Sequence, residues 1–244
     1  MTDRDQEFCA ALDTPDPFAL PKGIRGKVKS CCQSGVCAEK IEYLWLTVEQ
    51  TDAMTGTGPK PTLEHWLNVV DEAASLGAKW LVVAVSGALA GSHEVLELCH
   101  WAQHAHEMSV ALHTTALSLD ARDVSALKRL DLCRLRLFVS SEALPGLSHL
   151  EAEGIRVRVA EAVSDGHACG MPQNMLYVNG KGELYTCGRV KGNDAFHMGS
   201  IYARPFSKVV ADPALPHAIP LETPYEEHSC DGCPPLLANA WKGA

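Results

Sequence analysis

Four cysteines fall in the last third of the sequence: Cys169, Cys187, Cys230 and Cys233. The last two belong to "CDGCPP", where one turn carries two thiols and Pro234 and Pro235 stiffen the chain beyond. Cys169 and Cys187 flank "MLYVNGKGELYT", whose alternating arms and central Asn179-Gly180 predict a tight β-hairpin. The hairpin folds the chain back, so these two thiols come close in space. Four converging thiolates can hold a tetrahedral zinc or an iron–sulfur cluster, and ligand number alone does not choose between them. Zinc ribbons usually present two C-x-x-C knuckles, and here there is one. The separated first pair therefore favours a larger centre reached from several loops. Such a centre also gains from backbone N–H groups and positive charge near its sulfurs. "CGRVKG", from Cys187 to Gly192, offers glycines and two basic residues for that purpose.

A second group, Cys31, Cys32 and Cys37 in "CCQSGVC", lies ahead of the first predicted strand. It reads as an atypical cluster site, a redox-active or zinc-binding loop, or a set of incidental thiols. Adjacent cysteines fit poorly around one iron, which ranks the incidental or redox reading above the cluster. Cys99 falls on the apolar stripe Val95, Leu98, Cys99, Ala102 of a predicted helix, and Cys133 opens a predicted strand. Both read as small buried hydrophobes. His100 and His104 stand at i, i+4, but "HWAQH" lacks the acidic residue of a zinc-protease helix and reads as a solvated face. His113 ends a predicted strand and is a weak pocket candidate.

The elements that must position these residues alternate. Residues 1–40 are irregular, with prolines at 15, 17 and 21. From 41 to 163 the pattern predicts five strands ("IEYLWLTV", "WLVVAVS", "SVALHT", "CRLRLFVS", "IRVRVAEAV") with four intervening helices over about 62–76, 92–108, 120–130 and 142–153. The continuous apolar run Trp80–Val85 suits a parallel strand covered on both faces. Repeated βαβ units imply right-handed crossovers and a parallel sheet, open or curled into a partial barrel. Residues 164–244 form a loop-rich module with the hairpin and four cysteines. About 80 residues with so little regular structure need a staple, which a metal centre provides.

The chain of 244 residues is 46% hydrophobic and 21% charged, with a net charge of −9 and no basic block. Nucleic acid is thus not an expected partner. No apolar run is long enough to span a bilayer. The acidic start "MTDRDQEF" lacks a signal-sequence pattern, and a cytoplasmic location is expected. Ten cysteines in a reducing compartment point to metal or redox chemistry before disulfides.

The string "C…LYVNGKGELYTCGRVKGN…FHMGSIY…CDGCPP" resembles the twitch or SPASM module that ends many radical S-adenosylmethionine (SAM) enzymes. The resemblance covers about 80 residues and rests on the Gly182-x-x-x-x-Cys187 hairpin, with Cys169 leading and Cys230 and Cys233 closing the set. It implies one auxiliary [4Fe–4S] cluster on Cys169, Cys187, Cys230 and Cys233, in the shorter twitch form. Trp80–Leu98 and Val110–Thr114 resemble the partial (β/α) barrel of the same enzymes. Those enzymes carry C-x-x-x-C-x-x-C just after the first strand, where this chain reads "VEQTDAMTGTGPKPTLEHWL" without a cysteine. Where they commonly show "GGE", it reads "SGALAG". SAM is therefore not an expected cofactor.

The resemblance implies an iron–sulfur protein that passes electrons to, or supports, a partner redox or maturation enzyme without cleaving SAM itself. The alternative is a radical SAM-type oxidoreductase, or an enzyme modifying a peptide or small molecule, with a second cluster at Cys31, Cys32 and Cys37. A third reading is a zinc-stabilised binding module.

Overall fold

The computed structural model describes residues 41–49, 60–89, 92–116, 119, 121–139, 150, 152–159, 175–212, 214–216, 219, 232–234 and 237. Five strands come first: β1 (Tyr43–Glu49), β2 (Trp80–Ala88), β3 (Ser109–Ala116), β4 (Leu135–Val139) and β5 (Val157–Val159). Between them lie α1 (Leu63–Ser75), α2 (His93–His106) and α3 (Ala121–Leu127). Then follow β6 (Met175–Val178), β7 (Glu183–Tyr185), β8 (His197–Ser200) and the short α4 (Phe206–Val210). The expected fourth crossover helix, about 142–153, falls mostly outside the described residues.

Local signals set the helix ends. Thr62 caps α1 and exchanges hydrogen bonds with His65, whose Nδ1 accepts from the Thr62 N–H at 3.2 Å. A histidine here takes the place of the glutamate usual in a capping box. Gly77, at φ +94°, ends the α1 turn in the left-handed region. Helix α2 ends at Glu107, also left-handed at φ +54°. Buried Gln103 of α2 donates to the Asp131 carbonyl and accepts from the Asp131 N–H, which fixes the approach to β4.

The eight strands form one sheet in the order β5-β4-β3-β2-β1-β6-β7-β8, parallel from β5 to β6 and antiparallel thereafter. The first five strands advance in one direction, so right-handed crossovers put α1, α2 and α3 on the same face. The packing agrees. Leu44 and Leu46, Leu81 and Val83, Val110 and Leu112, Leu135 and Leu137 are buried with Trp66 and Val70 of α1, Leu98 and Cys99 of α2, and Leu127 of α3. The alternate residues point to the other face, where no residue of α1, α2 or α3 joins the buried cluster. Something else has to cover Tyr43, Trp45, Trp80, Val82, Ala111 and Phe138.

That cover is the C-terminal part of the chain, which is also hydrogen-bonded into the sheet. The hairpin that the sequence suggests forms as β6–β7, and β6 is in addition a sixth parallel strand paired with β1, Tyr43 opposite Met175 and Leu46 opposite Val178. A strand edge left bare exposes a row of unpaired backbone groups, and β6 satisfies that edge of β1. The β6–β7 hairpin also turns differently from expectation. Its left-handed glycine is Gly182 (φ +78°), not Gly180. The Gly182 N–H bonds the Asn179 carbonyl, and the Asn179 N–H bonds the Glu183 carbonyl. The Asn179 side chain accepts from the N–H groups of Lys181 and Glu183 at 3.0 Å each, so the asparagine orders a longer loop than a two-residue turn.

Candidate metal centre

Cys187 and Cys233 come from distant parts of the sequence and meet in one buried cluster with Trp45, Met175, Tyr177, Tyr185, Val190, Ile219 and Leu237. Each is about 95% buried. Their expected co-ligands, Cys169 and Cys230, lie outside the described residues, as do Cys31, Cys32 and Cys37. Among the described residues no three His, Cys, Asp or Glu side chains gather into a metal site.

The hairpin positions Cys187 two residues past β7, on extended backbone that caps the 3-10 turn Gly188–Val190. There its sulfur accepts the Arg189 N–H at 3.5 Å. The turn is held by the Val190 N–H on the Cys187 carbonyl and the Lys191 N–H on the Gly188 carbonyl. Arg189 and Lys191 are half-buried beside it. Tyr185 closes the base of the loop. Burial raises its phenol pKa, and a hydrogen bond from the Gly192 backbone to its oxygen opposes that rise.

Gly232, next to Cys233 in the chain, lies close against the sheet. A Cβ on Gly232 would come within 2.7 Å of the Ala84 Cβ and 3.2 Å of the Trp45 Nε1, and the residue sits at φ +79°. Both the close approach and the left-handed backbone require glycine. Gly232 therefore presses directly on β1 and β2, at Trp45 and Ala84.

Trp45 is 1% exposed, and its Nε1 finds no hydrogen-bond acceptor among the described residues. The nearest ring, Tyr177, meets it edge-on with centroids 4.7 Å apart. The Tyr177 hydroxyl is engaged with Thr47 Oγ1 at 2.8 Å. A buried donor left unmade costs about 1–3 kcal/mol. Two buried thiols in one cluster, a backbone donor on one of them, a glycine that lets the chain approach the sheet and an unmet indole N–H together suit a sulfur-rich centre at this face.

Cysteines elsewhere behave otherwise. Cys99 is fully buried among the aliphatic side chains under α2, and burial pushes its thiol up to about 12. It is the core hydrophobe its stripe predicts. Cys133 is a correction: it is half-buried in the turn before β4 and disulfide-bonded, not a buried hydrophobe opening a strand. Its N–H bonds the Asp131 carboxylate at 2.9 Å, which places it in a turn. His100 and His104 are exposed neighbours with ring centroids 4.1 Å apart. The His100 pKa is lowered, by partial burial first and by His104 next, as on a solvated face. His113 is buried opposite Ala84 and Phe138, on the sheet face that carries the two thiols.

Of the expected ligands the described residues include Cys187 and Cys233, which share a buried cluster; the sequence did not point to Trp45 or to the contact made by Gly232. Alternation in "YLWLTV" would have put Tyr43 and Trp45 on one face; nothing in the sequence says which face meets the cysteines.

The sequence matches no protein-family model and no curated protein. Crystal structures of Streptococcus suis SuiB are similar at 7% identity. The one bound to S-adenosylmethionine aligns over 82% of this chain and 70% of SuiB with a TM-score of 0.35. The other aligns over 73% of this chain and 67% of SuiB with a TM-score of 0.34. A likeness of that degree carries no argument about chemistry. Among the described residues no helix is long and apolar enough to cross a membrane.

Proposed function

We propose that the chain is an iron–sulfur protein whose Cys169, Cys187, Cys230 and Cys233 hold one [4Fe–4S] cluster, on a sheet related to the partial barrel of radical SAM enzymes. Its role is electron transfer to, or structural support of, a partner redox or maturation enzyme. The observation that carries the reading is the burial of Cys187 and Cys233 in one cluster, with a backbone N–H on the first and the Gly232 turn seating the second. A bound cluster with four protein thiolates supplies one-electron transfer and a cross-link, since no iron is left open for substrate.

The residues described have definite tasks. Gly232 lets the turn reach the sheet, Asn179 and Gly182 order the hairpin that leads to Cys187, and Arg189 gives its N–H to the sulfur. Trp45, Tyr177, Tyr185 and Leu237 exclude water from the thiols, which lowers the local dielectric and favours a delocalised charge.

Iron and sulfide content, with the electron paramagnetic resonance (EPR) spectrum, of anaerobically reconstituted protein tests this. About four irons per chain are expected, lost in Cys187→Ala, with no 5′-deoxyadenosine formed from SAM. About eight irons, with SAM cleavage abolished by Cys37→Ala, would establish the catalytic alternative. A colourless protein with one zinc would establish the binding module.

A further inference from the structure

Helix α1 carries His65, Asn68, Val69 and Glu72 at spacings that align them along one side, with Asp71 next to them. These residues, with Ile201 just after β8 and Phe206 at the start of α4, line a cavity of about 240 Å³. Val69 and Phe206 belong to the buried group on the helix-covered face, away from the two thiols. The far wall is fixed to the rest of the fold. The Phe206 N–H bonds Glu72 Oε2, and the Ile201 N–H bonds the Gly182 carbonyl at 2.9 Å. The acidic charge of the cavity is poorly matched by the chain. Asp71 Oδ1 accepts from the Trp101 indole at 2.7 Å and meets His106 Nε2 at 2.6 Å. Asp71 Oδ2 and Glu72 Oε1 have no hydrogen-bond partner among the described residues. No lysine or arginine among the described residues pairs with either carboxylate. Arg204, two residues before Phe206, is engaged by Asp212 and the Met198 carbonyl instead.

We propose that this cavity binds an alkylammonium group. The ammonium donates its three N–H groups to Asp71 Oδ2, Glu72 Oε1 and the Asn68 carboxamide oxygen, and the alkyl stem lies on Val69, Ile201 and Phe206. The mixture of carboxylates with an apolar base selects a cation that carries a stem. A bare metal ion fits poorly, since no three ligating side chains gather among the described residues. Tyr202, 42% exposed and with its ring centroid 5.1 Å from that of His65, adds an aromatic face beside the cavity, which attracts cations. The net charge of −9 draws cations to the chain from a distance. The same group ends a lysine side chain and a free aliphatic amine. The inference is independent of the iron–sulfur reading, because neither Cys187 nor Cys233 lines the cavity.

The full chain, labelled with 15N, is titrated with N-acetyl-lysine methylamide, with n-butylamine and, as an uncharged control, with N-acetyl-norleucine methylamide. The Asn68 side-chain amide and the Phe206 backbone N–H, which is bonded to Glu72, report binding by nuclear magnetic resonance. Saturable shifts at both are expected with the amines and none with the norleucine derivative. Tighter binding of the lysine derivative identifies a polypeptide side chain as the ligand, and tighter binding of n-butylamine identifies a free amine. Glu72→Gln keeps an acceptor for the Phe206 N–H and is expected to weaken amine binding about fivefold, the upper range for a half-exposed ion pair. Glu64→Gln, on α1 but outside the cavity, is expected to leave binding unchanged. No shift with either amine, or equal shifts with the norleucine derivative, overturns the inference. So does a Glu72→Gln protein that binds amine as tightly as wild type. The wild-type comparison stands alone, so a poorly folding variant does not shelter the idea.

Discussion

The two faces of the sheet handle the same residue type in opposite ways. On the helix-covered face, Cys99 is packed among Leu96, Leu98 and the aliphatic strand residues, and burial lifts its thiol pKa to about 12. A thiol held protonated there is a small apolar side chain. On the other face, Cys187 is also buried, yet its sulfur accepts a backbone N–H, and Cys233 and Trp45, whose indole N–H has no partner among the described residues, belong to the same buried group. Burial alone therefore does not separate a structural cysteine from a ligand. The polar groups aimed at the sulfur do.

The contrast is sharpest in paired substitutions. Cys233→Ala should abolish cluster uptake and release the C-terminal segment from the sheet, because a metal centre is part of the module's folding energy. Limited proteolysis beyond Ser200, with iron analysis, reads both effects. Gly232→Ala should cost about 2–4 kcal/mol, from the left-handed backbone and the clash with Ala84 together, and should weaken cluster retention without removing a ligand. Its signature is faster iron loss to a chelator. Cys99→Ser should leave the spectrum and iron content unchanged and cost about 1–3 kcal/mol for a buried hydroxyl. Thermal unfolding would register that as a melting point lowered by roughly 2–4 °C per kcal/mol.

The smallest effect concerns neither face's sulfur. Glu42, at the entrance to β1, has its carboxyl pKa raised by burial, with Lys79 pulling the other way. The folded state then holds that proton more readily than the unfolded chain. Its contribution to stability is full below the ordinary carboxyl pKa and is lost as pH rises through the raised value. Glu42→Gln should flatten that part of the profile, leaving a slightly higher melting temperature at pH 7 relative to pH 4 than the wild type shows.

Much of the frame was legible in the sequence. The runs around Leu44, Val83, Leu112 and Leu137 mark parallel strands, and the Val95, Leu98, Cys99, Ala102 stripe marks the buried side of α2. The attachment of β6 to β1 was not legible, since "MLYV" alternates as any hairpin arm does and carries no label for its neighbour. The turn glycine was misplaced for a related reason: Asn179-Gly180 is the usual two-residue signal, but Asn179 spends its side chain on Lys181 and Glu183 and moves the left-handed position to Gly182. Trp45 stayed hidden because both faces of β1 are apolar, so composition gives no hint that its indole lies against Gly232, beside Cys233. Site residues that bear no reactive group are found only when the surfaces that touch are known.

Anomalous diffraction at the iron edge, from anaerobically grown crystals of the reconstituted chain, tests the central claim most directly. The account predicts a strong peak bonded to the sulfurs of Cys187 and Cys233, on the sheet face beside Trp45. No iron peak there, or a signal only at the zinc edge, would contradict it.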